Sequence, residues 1–173
     1  HHFPEQMAGT SRVMQGMDAA AALLCDGKVI AVVSEERFDR IKKSSAFPFQ
    51  AIDYCLRTAG INMAKVDHIC GNFDCARHAI VYRTNEMARL YWQQCLAPET
   101  IQRKLAEHYV TPVNFRAIDH HTAHLHAAFA SAPFDHCLAI VTDAAGEIGS
   151  LSVYDVGDGI RLLRRYPITQ SLG

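Results

Sequence analysis

The sequence predicts a mixed-sheet α/β domain, and three observations point there. Strand-like and helix-like segments alternate along the chain, an Asp-Gly pair joins two apolar runs near the start, and two further strand-like runs lie near the end. A sheet of this kind, flanked by helices, buries at least one face. Its length of 173 residues is enough for a core that needs no disulfide staples.

The elements follow in order. Residues 3–16 mix Pro, Gly, Ser, Gln and Met without a sustained period and read as part of an irregular arm over 1–16. Ala19 to Cys25 and Lys28 to Ser34 flank Asp26-Gly27, which is a hairpin signal. The charged stretch Glu35, Glu36, Arg37, Asp39, Arg40, Lys42 and Lys43 reads as a solvated connection. Pro48 opens a helix with Ala51, Ile52, Cys55, Leu56 and Ala59 at helical spacing, and Gly60 stops it. Val66 to Phe73 reads as a strand. Thr84 to His108 is helical by period and is divided at Pro98. Asn114 to Ile118 reads as a strand that hands over at Asp119 to a helix reaching about Ser131. Strands at Cys137–Thr142, Ser150–Tyr154 and Ile160–Tyr166 complete the series.

Composition narrows the function classes. Seventeen basic and eighteen acidic residues give a formal charge of −1, with the basic residues scattered, which argues against nucleic acid as a partner. No apolar run approaches the ~20 residues that span a bilayer, and residues 1–20 lack the apolar stretch of a signal peptide. The expectation is a cytoplasmic protein with no membrane partner. The six cysteines are widely spaced and read mostly as buried, reduced thiols. His1-His2 reads as the end of a purification tag and is left out of site arguments.

The densest chemical signal is Asp119-His120-His121-Thr122-Ala123-His124-Leu125-His126, four histidines in seven residues at a strand-to-helix junction. At i and i+4, His120 and His124 share one helix face, so their imidazoles can converge on one metal ion, although a complete site needs another ligand. His121 and His126 lie on other sides of the helix and fit core or cap roles better. The pair lacks the internal glutamate of H-E-x-x-H, which disfavours zinc hydrolysis. A second signal is Thr142-Asp143-Ala144-Ala145-Gly146-Glu147, an apolar strand ending in an acid and a small-residue turn. Such a turn admits a phosphate close to the backbone, and the carboxylate can hold a cation. The same residues also fit an ordinary β-turn with a capping Asp. Gly16-Met17-Asp18-Ala19-Ala20 is a comparable candidate, and no Walker A loop is present.

In order, these segments resemble one family. Met17-Asp18-Ala19-Ala20-Ala21-Ala22-Leu23-Leu24 followed by Asp26-Gly27 resembles the "HDASAALL-x-DG" opening of the O-carbamoyltransferases of antibiotic and nodulation-factor biosynthesis. Glu35-Glu36-Arg37-Phe38-Asp39-Arg40-Ile41-Lys42 resembles their "EERFTRKK", and Phe47-Pro48 with the following helix continues the match. Asp119-His120-His121-x-Ala123-His124 resembles "DHHLAHAASAF", and Ser171-Leu172-Gly173 resembles "SLG".

The resemblance implies an actin- and hexokinase-like (ribonuclease-H-like) fold, with residues 17–173 as the amino-terminal lobe. It also implies an activity in which a second domain makes carbamoyl-adenylate from carbamoyl phosphate and ATP, and the domain similar to this chain passes the carbamoyl group to a small-molecule hydroxyl. Carried over by motif, His120 and His124 hold a divalent metal, iron in family members, with magnesium accompanying ATP. Lys42 stabilises charge near the carbamoyl group, while Asp18, Asp143 and Gly146 serve nucleotide- and phosphate-facing turns. A partner chain is expected to supply the second lobe, a further metal-binding acid and the adenylate-forming domain. Three positions depart from the family pattern: Met17 stands for its His, Ala20 for its Ser and Ala144 for the first glycine of "DGxGE". Methionine transfers no proton at neutral pH, so a degenerate subunit that supports an active homologue is the rival expectation.

Overall fold

In the computed structural model, residues 18–74, 97–143 and 146–170 are described, and the chain divides into two compact units, residues 1–66 and 67–173. The arm over 1–16, the first part of the Thr84–His108 helix, and Ser171-Leu172-Gly173 lie outside the described residues.

The first unit starts with the Asp-Gly hairpin. Strands β1 (Ala20–Cys25) and β2 (Lys28–Ser34) pair antiparallel, with Cys25 opposite Lys28. The two-residue loop places Asp26 at φ 48° and Gly27 at φ 74°. Two positive φ values in succession match the right-handed twist of the strands, which is why glycine serves here. Helix α1 (Glu36–Asp39) and helix α2 (Phe49–Ala59) follow. Helix α2 buries Ala51, Cys55 and Leu56 and packs against β1 and β2, where Ala31 is buried. The Cys55 thiol donates to the carbonyls of Ala21 and Ala31.

The charged stretch departs from the solvated connection read in the sequence. Glu36–Asp39 forms a helical turn, and Glu35 is buried at 2% exposure. Its carboxylate accepts from the Ala51 N–H at 2.8 Å and from the backbone and side-chain N–H groups of Gln50 at 3.3 and 3.2 Å. Proline and phenylalanine at 48 and 49 offer no side-chain oxygen to the first amides of α2, so a carboxylate from before the loop satisfies them instead.

In the second unit, β3 (Ile69–Gly71) pairs in parallel with β4 (Phe115–Ala117), and helix α3 (Pro98–Tyr109) precedes β4. Helix α4 (His120–Phe129) leads to a three-stranded antiparallel sheet of β5 (Cys137–Thr142), β6 (Gly149–Val156) and β7 (Ile160–Pro167), in the order β5-β6-β7. Helix α4 lies against β5, and its stripe of His121, Leu125 and Phe129 meets a core that contains Val141, Tyr154 and Val156. The fold is thus mixed α/β as predicted, but among the described residues the strands form three small ladders rather than one sheet. Strands β3 and β4 are only three residues long, shorter than the runs read in the sequence.

The cysteine expectation is also corrected. Of the four described, all free, only Cys55 is buried; Cys25 and Cys70 are exposed and Cys137 is intermediate. Cys25 adjoins the hairpin turn, and Cys70 lies in a ladder that has two strands among the described residues. Cys75 and Cys95 lie outside the described residues.

Candidate metal centre

Helix α4 carries the histidine pair, and a local network fixes its start. Asp119 is the N-cap, accepting from the Thr122 N–H and the Thr122 hydroxyl, both at 2.9 Å. The same carboxylate receives both ends of the Arg165 guanidinium, at 2.9 and 3.1 Å. Arg165 also donates to Ser152 Oγ at 3.0 Å and to the Tyr154 hydroxyl at 3.1 Å, so a sheet residue clamps the cap of the helix. Burial pushes the Asp119 carboxyl up, but the Thr122 and Arg165 hydrogen bonds outweigh it and hold the group below its ordinary value.

Because the apolar stripe of α4 faces the sheet at 121, 125 and 129, the residues one position earlier point about 100° away around the axis. His120 and His124 occupy that face, with their Nε2 atoms 3.2 Å apart. Asp143, at the end of β5, brings Oδ2 to 2.8 Å from His120 Nε2 and 3.6 Å from His124 Nε2. These three donor atoms all lie within 4.8 Å of one another. Asp143, assigned from the resemblance to a phosphate-facing turn, thus lies beside the two histidines. Their exposure rises from 15% for the His120 side chain through 30% for Asp143 to 54% for His124, so the cluster opens outward. A cleft of about 280 Å³ beside it is lined by Asn72, His120, Ala123, His124 and Ala127.

The hydrogen bonding of His120 determines what the cluster can hold. Its Nδ1 lies 3.0 Å from the Asn72 carbonyl, which can only accept, so the Nδ1 proton is engaged there. In the neutral ring this leaves a lone pair on Nε2, directed at the carboxylate oxygen of Asp143. Donor atoms that converge in this way can hold a cation between them, and a His held through its other nitrogen by a carbonyl is the usual arrangement at metal sites. Two imidazole nitrogens and one carboxylate oxygen suit iron or another divalent transition ion.

His121 takes the structural role read for it. It is buried at 2% exposure, with Nδ1 2.7 Å from Ser152 Oγ, and burial followed by the nearby Arg165 charge holds the ring below the ordinary histidine range. Gly146 lies directly against this ring: a Cβ there would come within 2.9 Å of His121 Cδ2 and 3.1 Å of the Gly149 carbonyl oxygen. His126 is exposed.

The remaining candidates belong to the first unit. Lys42 is 89% exposed and pairs with Glu36 at 3.3 Å. The Glu36 carboxyl is held below its ordinary value by the Lys43 N–H first and by Lys42 second. Asp18 is exposed and adopts φ 60°, while Gly16, Met17, Ala144 and Ala145 lie outside the described residues. The sequence reading passed over Glu147, which is buried at 1% exposure with its carboxylate on the backbone N–H groups of Asp74 and His120. A charged residue directly after a small-residue turn was the available signal.

Comparison with known proteins agrees with the motif order. Residues 14–86 match the family described as carbamoyltransferase N-terminus. The chain is 30% identical over 172 residues to a nodulation protein, NolNO, of Sinorhizobium fredii (strain NBRC 101917 / NGR234), covering 90% of this chain and 24% of that protein. It is 33% identical over 171 residues to an uncharacterized protein of Synechocystis sp. (strain ATCC 27184 / PCC 6803 / Kazusa), covering 87% of this chain and 27% of the relative. An uncharacterized 19.2 kDa protein of Rhizobium etli is 46% identical over 52 residues, 30% of each chain. The chain therefore spans about a quarter of the length of the first two relatives. By these matches residues 14–86 are similar to the N-terminal domain of the carbamoyltransferase family.

Proposed function

We propose that this chain is part of an O-carbamoyltransferase with an actin/hexokinase-like fold, and that its second unit holds a divalent metal between His120, His124 and Asp143. One observation carries the reading: two imidazole nitrogens and a carboxylate oxygen converge within 4.8 Å, with the other nitrogen of His120 already engaged by the Asn72 carbonyl. The metal is iron or another divalent ion, and when bound it supplies positive charge toward the phosphate of a nucleotide. The residues do the rest. By the family resemblance, Asp143 and Gly146 serve the phosphate, Asp18 serves the nucleotide, and Lys42 offers its ammonium to the carbamoyl oxygen as negative charge develops. The carbamoyl group passes from a carbamoyl-adenylate, made from carbamoyl phosphate and magnesium-bound ATP, to a hydroxyl of a small natural product. The new bond joins that hydroxyl oxygen to the carbamoyl carbon, the bond from that carbon to the phosphate oxygen breaks with its electron pair leaving on AMP, and the hydroxyl proton goes to solvent or a base. The second lobe and the adenylate-forming domain come from a partner chain, and the complex works in the cytoplasm.

Met17 favours a second reading, a non-catalytic subunit that stabilises or regulates an active homologue, because it stands where the family pattern has a histidine. Both readings share the metal. Titrating the metal-free chain with Fe²⁺ or Zn²⁺ by calorimetry tests it, with one ion per chain expected. His124→Ala and Asp143→Asn are each expected to weaken binding by more than the ~10–100-fold that an outer-shell partner typically contributes. Equal affinity in wild type and both variants would falsify the site. Carbamoyl transfer by the reconstituted complex then separates the two readings.

A further inference from the structure

We infer that Glu147 is the positioning residue of this metal centre, its buried carboxylate tying together the three chain segments that carry the site. The inference rests on the metal reading above and adds to it the group that sets the geometry. One Glu147 oxygen accepts from the Asp74 N–H at 2.7 Å, and the two oxygens accept from the His120 N–H at 2.9 and 3.0 Å. These contacts reach well beyond the residue itself. Asp74 closes the segment that includes Asn72, whose carbonyl orients His120, and His120 opens the helix that also carries His124. Glu147 follows Asp143 by four residues in sequence, with Asp143 N–H donating to the Ser150 carbonyl at 2.8 Å and Gly146 N–H to the Gly149 carbonyl at 2.7 Å.

A carboxylate suits this position for a physical reason. It presents only acceptors, and both of these partners are backbone donors, one of them at the first residue of α4, where the helix dipole favours negative charge. Glutamine keeps the volume but turns one acceptor into an amide donor facing an N–H group. Aspartate keeps the charge, but it is one methylene shorter and cannot hold both amides at these distances.

Co²⁺ is the probe, because its visible absorption bands report ligand geometry as well as affinity. The metal-free chain and its Glu147→Gln, Glu147→Asp, His124→Ala and Leu125→Ala variants are titrated, and amide hydrogen exchange is followed at His120 and Asp74. Glu147→Gln is expected to bind Co²⁺ ~10–100-fold more weakly than wild type, with altered bands and faster exchange at both amides. Leu125→Ala, which loosens the same unit from its core, is expected to lower stability while leaving the Co²⁺ bands unchanged. If Glu147→Gln loses cooperative folding, Glu147→Asp carries the test, with weaker binding and altered bands again expected. Wild-type affinity and bands in the Glu147 variant that folds overturn this inference alone, provided His124→Ala weakens binding. A wild type that takes up no Co²⁺, or a His124→Ala that takes it up as tightly, overturns the metal reading and this inference with it.

Discussion

Asp119 does two tasks with one carboxylate, capping α4 and neutralising Arg165, so its loss removes both. The side chains of Asp119 and Arg165 are 10% and 15% exposed, and breaking such a pair from one side leaves a buried charge without its partner. Asp119→Ala is therefore expected to lower unfolding stability by about 3–5 kcal/mol, well above the ~1 kcal/mol of a lost cap alone. Urea unfolding measures it, and a loss near 1 kcal/mol would show that the ion pair adds nothing. His121 gives a pH dependence on the same helix. Its folded pKa lies below the unfolded value near 6.5, so its contribution is fully present above that pH and declines as pH falls toward the folded pKa. In chelator-treated protein, His121→Asn keeps an amide near the Ser152 hydroxyl but does not titrate, so its stability should fall less between pH 6.5 and 5 than that of wild type. Parallel curves would remove His121 as a source of the acid sensitivity.

Among the elements, those with local signals were legible in the sequence. Asp26-Gly27, Pro48 with Gly60, Ala97-Pro98 and the Asp119 cap marked turns and helix ends, because those preferences act within a few residues. The misreadings involve partners distant along the chain. Glu35 looked solvated within its charged stretch, yet it caps α2 through the amides of residues 50 and 51. The histidine pair was legible from its i, i+4 spacing, whereas Asp143 was seen as chemistry without being joined to that pair, since 19 residues separate it from His124 and only the return along β5 brings it back. Glu35→Ala removes the acceptor for the buried Ala51 amide and is expected to cost about 0.5–2 kcal/mol, the range of a lost helix cap. Faster amide exchange confined to the first turn of α2 should accompany it, and unchanged protection at residues 50 and 51 would contradict the capping role.

For the whole molecule, the composition is close to that of an ordinary globular domain. A formal charge of −1 offers no broad field for nucleic acid, and no helix among the described residues is long and apolar enough to cross a membrane. The specific reading came from ordered motifs, and the chain spans 24% and 27% of its two long relatives. Lys42 tests the proposed activity without disturbing the fold. Its side chain is 89% exposed and pairs with Glu36 at the surface, an arrangement that adds little to stability. Removing a group that meets developing charge in the transition state typically costs ~10²–10³ in rate. In the reconstituted complex supplied with carbamoyl phosphate, ATP and a hydroxyl acceptor, Lys42→Ala should thus lose turnover by that order while its urea midpoint stays at the wild-type value. Lys42→Arg keeps the charge on a bulkier, planar head and should recover only part of the rate. A complex that turns over normally with Lys42→Ala sinks the catalytic assignment. A wild-type complex that transfers no carbamoyl group at all, while Met17→His restores transfer, shifts the conclusion to the supporting subunit that Met17 suggests.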